Sequence, residues 1–121
     1  MKFHEITSDT LNLISAYADH SVSIGNKVIT QNSMVFPESI IENISIQEDR
    51  DFQKMCKAIF DYCPEIILIG NSNNQKHNMH EKFNIFYEKN ISVETMNLNA
   101  ACRTFNILIS EERKIVLILI F

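Results

Sequence analysis

The feature that most constrains the fold of this sequence is a run of seven consecutive apolar residues at 115–121. A membrane-spanning helix needs about 20 apolar residues, so this run predicts a buried strand. Residues 65–69 form a second, largely apolar run. Strands that are apolar at successive positions are usually covered on both faces. Both runs therefore predict strands of a sheet with other elements on each side.

Between these runs the apolar spacing changes to that of amphipathic helices. Residues 49–62 repeat apolar side chains at intervals of three and four, which predicts a helix with Asp49 as its N-cap. The segments 79–89 and 98–109 are predicted to be helices as well, and residues 91–95 to be a strand. In the segment 79–89, the side chains expected to face inward are Phe83, Phe86 and Tyr87.

The first half of the chain has the period-two alternation of antiparallel strands. Gly25-Asn26 is a two-residue hairpin signal between strands predicted at 20–24 and 27–30. Further strands are predicted at 11–18 and 33–36, and the segment 40–46 is a candidate strand whose apolar spacing also fits a helix. A length of 121 residues suits one domain. We therefore predict a single domain spanning 1–121, an α/β fold around a mixed sheet with an antiparallel β portion in its N-terminal half.

Charge and cysteine content exclude some classes of protein. Eleven basic and fifteen acidic residues give a net charge of −4, which is unsuited to neutralising the phosphates of a nucleic acid. The cysteines Cys56, Cys63 and Cys102 are an odd number without a CxxC pair, so we expect free thiols in a reducing cytoplasm. The start of the chain has neither the apolar segment of a secretory signal nor the arginines of a mitochondrial transit peptide.

The last third of the chain carries a specific motif, Ala-Ala-Cys-Arg-Thr-Phe-Asn at 100–106, which follows the segments 64–70 and 91–96. Together with Ser-Met-Val-Phe-Pro at 33–37, these segments resemble the Mth938-like family, also called the DUF498 or Xcc1710-like family. The motif residues that carry the resemblance are Ala101, Cys102, Arg103, Thr104 and Asn106.

The resemblance covers nearly the whole chain and implies a three-layer fold around a mixed sheet. The eukaryotic members of the family are mitochondrial complex I assembly factors of the NDUFAF3 type. The resemblance therefore implies a role in binding a partner protein, and it attaches no firm reaction. This chain departs from the family at Gly70-Asn71-Ser72, where the family often has Gly-Thr-Gly, and it lacks a tryptophan that is common near position 46.

Cys102 has two interpretations. It lies near the start of a predicted helix and beside Arg103, and both features lower the pKa of a thiol. A catalytic thiol also needs an oriented base, and no histidine lies within the motif. On a helix over 98–109, Cys102 falls on the apolar stripe with Phe105. We therefore expect it to be a core residue rather than a nucleophile.

Polar residues gather where two predicted strands end. If the strands ending at Ile69 and Thr95 are parallel neighbours, the loops after them leave the same edge of the sheet, where α/β proteins bind ligands. Backbone N–H groups at the start of the helix 98–109 favour an anion there. The residues expected to line this crevice are Gly70, Asn71, Ser72, Met96, Asn97, Asn99, Arg103 and Asn106. The alternative is that Arg103 and the asparagines hydrogen-bond the loops together.

These observations leave two main functions open. The first is a non-enzymatic protein-binding factor resembling the complex I assembly factors, located in the cytoplasm, not spanning a membrane but able to attach to one peripherally. The second is a small-molecule or anion-binding protein, or an enzyme, that uses the crevice. Homo-oligomerisation through an edge of the β portion is a third option. No cofactor or metal is predicted, because His77 and His80 lack the further ligands of a zinc site.

Overall fold

The apolar runs at 65–69 and 115–121 both form strands of one sheet in the computed structural model, which describes residues 11–72 and 80–121. The strands are β1 (Ile14–Ala18), β2 (Ser21–Ile24), β3 (Lys27–Ile29), β4 (Ser33–Val35), β5 (Ile40–Ile41), β6 (Ile66–Asn71), β7 (Ser92–Asn97) and β8 (Ile115–Ile120). The helices are α1 (Asp49–Tyr62), α2 (Asn84–Tyr87) and α3 (Leu98–Ser110), with a 3₁₀ turn (His80–Phe83) leading into α2.

The larger sheet is mixed, as predicted, with the strand order β5-β4-β8-β6-β7. Strand β6 pairs in parallel with both β7 and β8, whereas β4 pairs antiparallel with β8. Strand β8 therefore lies in the middle of the sheet, and all six of its residues are buried. This position explains its uniformly apolar sequence, because a central strand meets packed side chains on both faces.

Alternate residues of β8 belong to two separate cores. Leu117 lies in a core with Phe105 of α3 and Val22 of the smaller sheet. Its neighbour Ile118 lies in a second core, with Ile59 of α1 on the opposite face of the sheet. The period of two along a strand sends successive side chains to opposite faces, so this one strand holds both covering layers in place.

The smaller sheet is antiparallel and has the order β1-β2-β3. Gly25 adopts a φ of +59° in the turn between β2 and β3, which confirms the predicted hairpin. Strands β4 and β5 join the larger sheet instead. In the segment 40–46, the candidate strand, only Ile40–Ile41 pairs with a neighbouring strand. The predicted α/β fold class, with an antiparallel portion in the N-terminal half, is confirmed.

Helix α1 has the predicted bounds but a different cap. Glu48 is its N-cap residue and makes no side-chain capping bond, so the prediction that Asp49 caps the helix is wrong. Asp49 and Asp51 lie in the first turn instead, where negative charge interacts favourably with the helix dipole. The helix ends at Cys63, whose φ is +57° and whose N–H donates to the carbonyl of Ile59 at 2.9 Å.

The helix predicted at 79–89 is shorter and begins as the 3₁₀ turn. Phe83 and Phe86 are buried as predicted, but Tyr87 is 54% exposed, so its predicted inward position is wrong. The Tyr87 hydroxyl donates to the carbonyl of Val93 at 2.7 Å and so protects part of the edge strand β7. Within 11–72 and 80–121, none of the helices has the length and apolar character needed to cross a membrane.

Strand β6 and helix α3 pack closely at Gly70. A Cβ atom added at Gly70 would lie 2.8 Å from the Cβ of Ala101 and 3.5 Å from the Cδ1 of Leu98. Space, rather than backbone conformation, therefore requires glycine at this position. The contact holds the carboxyl end of β6 against the first turns of α3.

We predict that Gly70→Ala lowers the free energy of unfolding by about 1–3 kcal/mol, because the added methyl group overpacks the contact with Ala101. Urea unfolding measures this change. Adding Ala101→Gly should recover part of the loss, although glycine inside a helix itself costs about 1 kcal/mol. Equal unfolding midpoints for the wild type and Gly70→Ala would contradict the close contact.

Candidate functional site

Strands β6 and β7 are parallel neighbours, which is the condition on which the predicted crevice depends, and their carboxyl ends meet at one edge of the larger sheet with Ile69 opposite Thr95 and Asn71 opposite Asn97. A cavity of about 210 Å³ opens at this edge. Its lining residues are Asp19, Ser72, Asn97, Leu98 and Asn99, and we call it the carboxyl-edge crevice. Strand β6 supplies one wall through Ser72, which follows it directly, and the start of α3 supplies the opposite wall.

Ser72 is the most unusual residue of the crevice. Its backbone N–H donates to the carbonyl of Ile120 at 2.8 Å, and only 4% of the residue is exposed. Its Oγ is buried without a hydrogen-bond partner among the residues that the structure describes. A buried hydroxyl without a partner costs about 1–3 kcal/mol. Native structures usually supply such a group with a water or a ligand.

Asn97 forms the N-cap of α3. Its backbone is extended, with φ −67° and ψ 161°, and its Oδ1 accepts a hydrogen bond from the N–H of Ala100 at 2.9 Å. Leu98 and Asn99 are the first two residues of the helix, and their backbone N–H groups have no carbonyl partner within it. The start of α3 therefore presents two backbone donors beside the crevice.

The structure brings together only some of the eight predicted crevice residues. Ser72, Asn97 and Asn99 line the crevice, whereas Gly70 packs against α3 and Met96 packs against the core. The predicted residues that do not line it are Gly70, Asn71, Met96, Arg103 and Asn106.

Asp19, which lies in the turn between β1 and β2, also lines the crevice and was missed. Its position between the strands predicted at 11–18 and 20–24 was readable from the sequence. That the turn faces the start of α3 was not readable, because the smaller sheet is placed there by long-range packing.

Arg103 and Asn106 hold β1 against α3 instead of lining the crevice. The Asn106 Nδ2 donates to the carbonyl of Ile14 at 2.9 Å, and the Asn106 Oδ1 accepts from the Ile14 N–H at 2.8 Å. Arg103 is exposed, and its Nη1 donates to the Tyr17 hydroxyl at 3.1 Å. These bonds agree with the alternative that both residues tie segments together.

Cys102 is fully buried in the core between α3 and the larger sheet. Loss of hydration raises the pKa of its thiol to about 12, and the nearby charge of Arg103 lowers the pKa only in part. The nucleophilic species is the thiolate, so this thiol is unsuited to nucleophilic catalysis. Of its motif neighbours, Ala101 is also fully buried and Thr104 is half-buried. The geometry supports the interpretation of Cys102 as a core residue.

Metal binding finds no support in the described parts of the chain. No group of three or more histidine, cysteine or acidic residues within them is arranged to hold a metal ion. His77 and the side chain of His80 lie outside the described residues.

The fold and the crevice define a small α/β protein with a mixed five-stranded sheet and a polar cleft at its carboxyl edge. Residues 14–120 match the family described as a protein of unknown function (DUF498/DUF598). This match covers most of the chain, so the chain belongs to that family.

Solved structures from other organisms share the fold. XCC1710 from Xanthomonas campestris is 22% identical with a TM-score of 0.73, over 88% of this chain and 82% of that chain. A Mth938-like domain protein from Bordetella pertussis is 20% identical with a TM-score of 0.72, over 92% and 86%. An outer membrane protein from Bartonella henselae is 23% identical with a TM-score of 0.71, over 91% and 94%. Among curated proteins, none matches this chain. These structures confirm the Mth938-like fold.

We predict that Asn106→Ala destabilises the protein by about 1–3 kcal/mol, because it leaves the N–H and the carbonyl of Ile14 without their partner. Arg103→Ala is the matched control. It removes one bond from an exposed side chain and should change stability by less than about 0.5 kcal/mol. Urea unfolding measures both variants, and hydrogen exchange should accelerate at Ile14 only in Asn106→Ala. Equal losses in the two variants would contradict this division of roles.

We predict that iodoacetamide modifies the exposed Cys63 first, the half-buried Cys56 more slowly and Cys102 only after unfolding. At pH 8 a thiol with a pKa of about 12 is ionised in only about one molecule in 10⁴. Mass spectrometry of peptides from native and urea-unfolded protein measures the order. Rapid modification of Cys102 in native buffer would overturn its assignment as a core residue.

Proposed function

We propose that this protein is a non-enzymatic factor that acts by binding a partner protein, in a role like that of respiratory complex I assembly factors. The buried Cys102, with its raised thiol pKa, supports a mechanism without a covalent step. Asp19 is the one titratable side chain among the described residues that line the carboxyl-edge crevice, so these residues supply no second titratable group with which it could form an acid–base pair. Both observations favour binding over catalysis.

The observation that carries the proposal is an uncharged, exposed face on the smaller sheet. Val22, Ile24 and Ile29 point into the core, so the residues that alternate with them point away from it. We call these residues the outer face: Ala16, Ala18, Ser21, Ser23 and Val28.

The composition and exposure of the outer face support this proposal. Ala16, Ser23 and Val28 lie side by side across the three strands, and Val28 is 60% exposed. These side chains are small and carry no charge. Removing them from water therefore costs less free energy than burying a charged side chain, which would need a partner of opposite charge. Val28 and the exposed Ala16 and Ala18 give this face apolar atoms that a partner surface could cover.

The cellular location is part of the proposal. Three free thiols, at Cys56, Cys63 and Cys102, accord with a reducing cytoplasm. A partner in respiratory-chain assembly would bring the protein to a membrane surface peripherally, through that partner.

A second candidate function is the binding of a small polar molecule in the carboxyl-edge crevice. The unpartnered Oγ of Ser72 is the observation that favours it. The two candidates use different surfaces, since the crevice residues and the outer face have no residue in common.

We predict that Val28→Glu abolishes partner binding and changes stability by less than about 0.5 kcal/mol, because Val28 is exposed and the added charge must be dehydrated in a contact. Ile85→Glu is the matched control, since Ile85 is 40% exposed on the side of the sheet covered by α1 and α2. The experiment is purification from the native cells in mild detergent, with quantification of respiratory complex I subunits. Wild type and Ile85→Glu should retain them and Val28→Glu should lose them.

A deletion strain completes the test. Complex I activity should fall without the protein and should be restored by Ile85→Glu but not by Val28→Glu. Normal complex I activity in the deletion strain, with no subunit recovered on the wild type, would overturn the proposal. Sedimentation at micromolar concentration separates a second copy of the chain from a different partner, because Val28→Glu would then convert an oligomer into a monomer.

A further inference from the structure

We propose that the carboxyl-edge crevice is a binding site for a small molecule that bears a primary carboxamide. This inference goes beyond the proposed protein-binding role and rests on different residues. It also differs from the anion site expected from the sequence, and the reason is the position of Asp19.

The need for a ligand group begins at Ser72. The residue lines the crevice, is only 4% exposed and has no hydrogen-bond partner for its Oγ within the described ranges. The crevice that Ser72 lines is the space from which a ligand would reach this hydroxyl. The free protein bears the free-energy cost of a buried hydroxyl without a hydrogen bond. A ligand that bonds to this hydroxyl removes that cost, and the gain contributes to the free energy of binding.

The chemistry of the partner follows from the two walls of the crevice. At the start of α3, the N–H groups of Leu98 and Asn99 are donors at the positive end of the helix dipole, and they require an acceptor. Asp19 lines the same space, and an ionised carboxylate only accepts hydrogen bonds, so it favours a donor. A simple anion would satisfy the helix but would be repelled by Asp19, and a simple cation would satisfy Asp19 but not the helix.

A primary carboxamide meets both requirements in one planar group. Its carbonyl oxygen can accept from the N–H groups of α3, and its NH₂ can donate to Asp19 and to the Ser72 hydroxyl oxygen. The group carries no net charge, which suits a protein of net charge −4. Four of the five lining residues are polar, with Leu98 the exception, so the walls match a polar ligand.

The volume limits the size of the ligand. The cavity has a volume of about 210 Å³. It lies below the range of about 300–1,000 Å³ that is usual for sites of drug-sized ligands. A molecule the size of an amino acid with a carboxamide side chain therefore suits the crevice.

The experiment is a titration of ¹⁵N-labelled protein with L-glutamine, L-glutamate and inorganic phosphate, followed by NMR. Glutamine and glutamate form a matched pair, because they differ only in the NH₂ that faces a carboxylate in the proposed complex. Glutamine should shift the amide resonances of Ser72, Leu98 and Asn99 with a millimolar dissociation constant. Glutamate and phosphate should bind at least tenfold more weakly.

Two variants assign the contacts. Ser72→Ala should weaken glutamine binding about threefold to tenfold while leaving the urea midpoint of the free protein unchanged or higher, since it removes a hydroxyl that has no partner in the described parts of the chain. Asp19→Asn should weaken glutamine binding and strengthen glutamate binding, so that the preference between the two is lost. Ser110→Ala is the control, because it makes the same change at the other end of α3.

Three outcomes would overturn the proposal. They are no shift with glutamine at its solubility limit, tighter binding of phosphate than of glutamine, and a Ser72→Ala variant that is destabilised but binds glutamine like the wild type. The last outcome would mean that the hydroxyl has a structural role. Val28→Glu should bind glutamine normally, so a failure of the protein-binding role leaves this test intact.

Discussion

The burial of β8 on both faces is the interaction on which the rest of the structure depends. The strand pairs with β4 on one side and β6 on the other, and its side chains alternate between two cores. Because the hydrophobic effect is roughly proportional to the apolar area removed from water, an apolar strand of this kind needs a covering layer on each face. Helix α3 and the smaller sheet supply one layer, and α1 with α2 supplies the other.

Helix α3 joins this core to every surface that we connect with function. Its apolar face buries Cys102, so the thiol contributes to packing and not to chemistry. Its outer side holds β1 through Asn106, and that bond positions the smaller sheet whose outer face we propose as a protein-binding surface. Its first turn, pressed against β6 at Gly70, forms one wall of the carboxyl-edge crevice. Helix α3 thus contributes its apolar face to the core and its other sides to the two proposed binding surfaces.

Sequence periodicity predicted most elements of the fold but not their local details. The bounds of α1 followed from apolar spacing, whereas the parallel pairing of β6 with β7 was a condition of the predicted crevice that the structure meets. The predicted inward position of Tyr87 was wrong. Apolar periodicity describes one helix and contains no information on the hydrogen bond that the Tyr87 hydroxyl donates to Val93 of the edge strand. For the crevice, Ser72 and Asn97 were predicted from the ends of their strands. Asp19 was not predicted, because it lies in a turn of the smaller sheet, between β1 and β2.

The amino-acid sequence by itself determined the class of fold, because runs of apolar residues and their periods dictate which faces must be buried. It also determined that Cys102 belongs to the apolar stripe of its helix. Only the tertiary structure decided which polar residues meet. Arg103 and Asn106 turned towards β1, and Asp19 turned towards the start of α3. Such encounters depend on how two sheets dock on one helix, and that docking is set by packing between residues far apart in the chain.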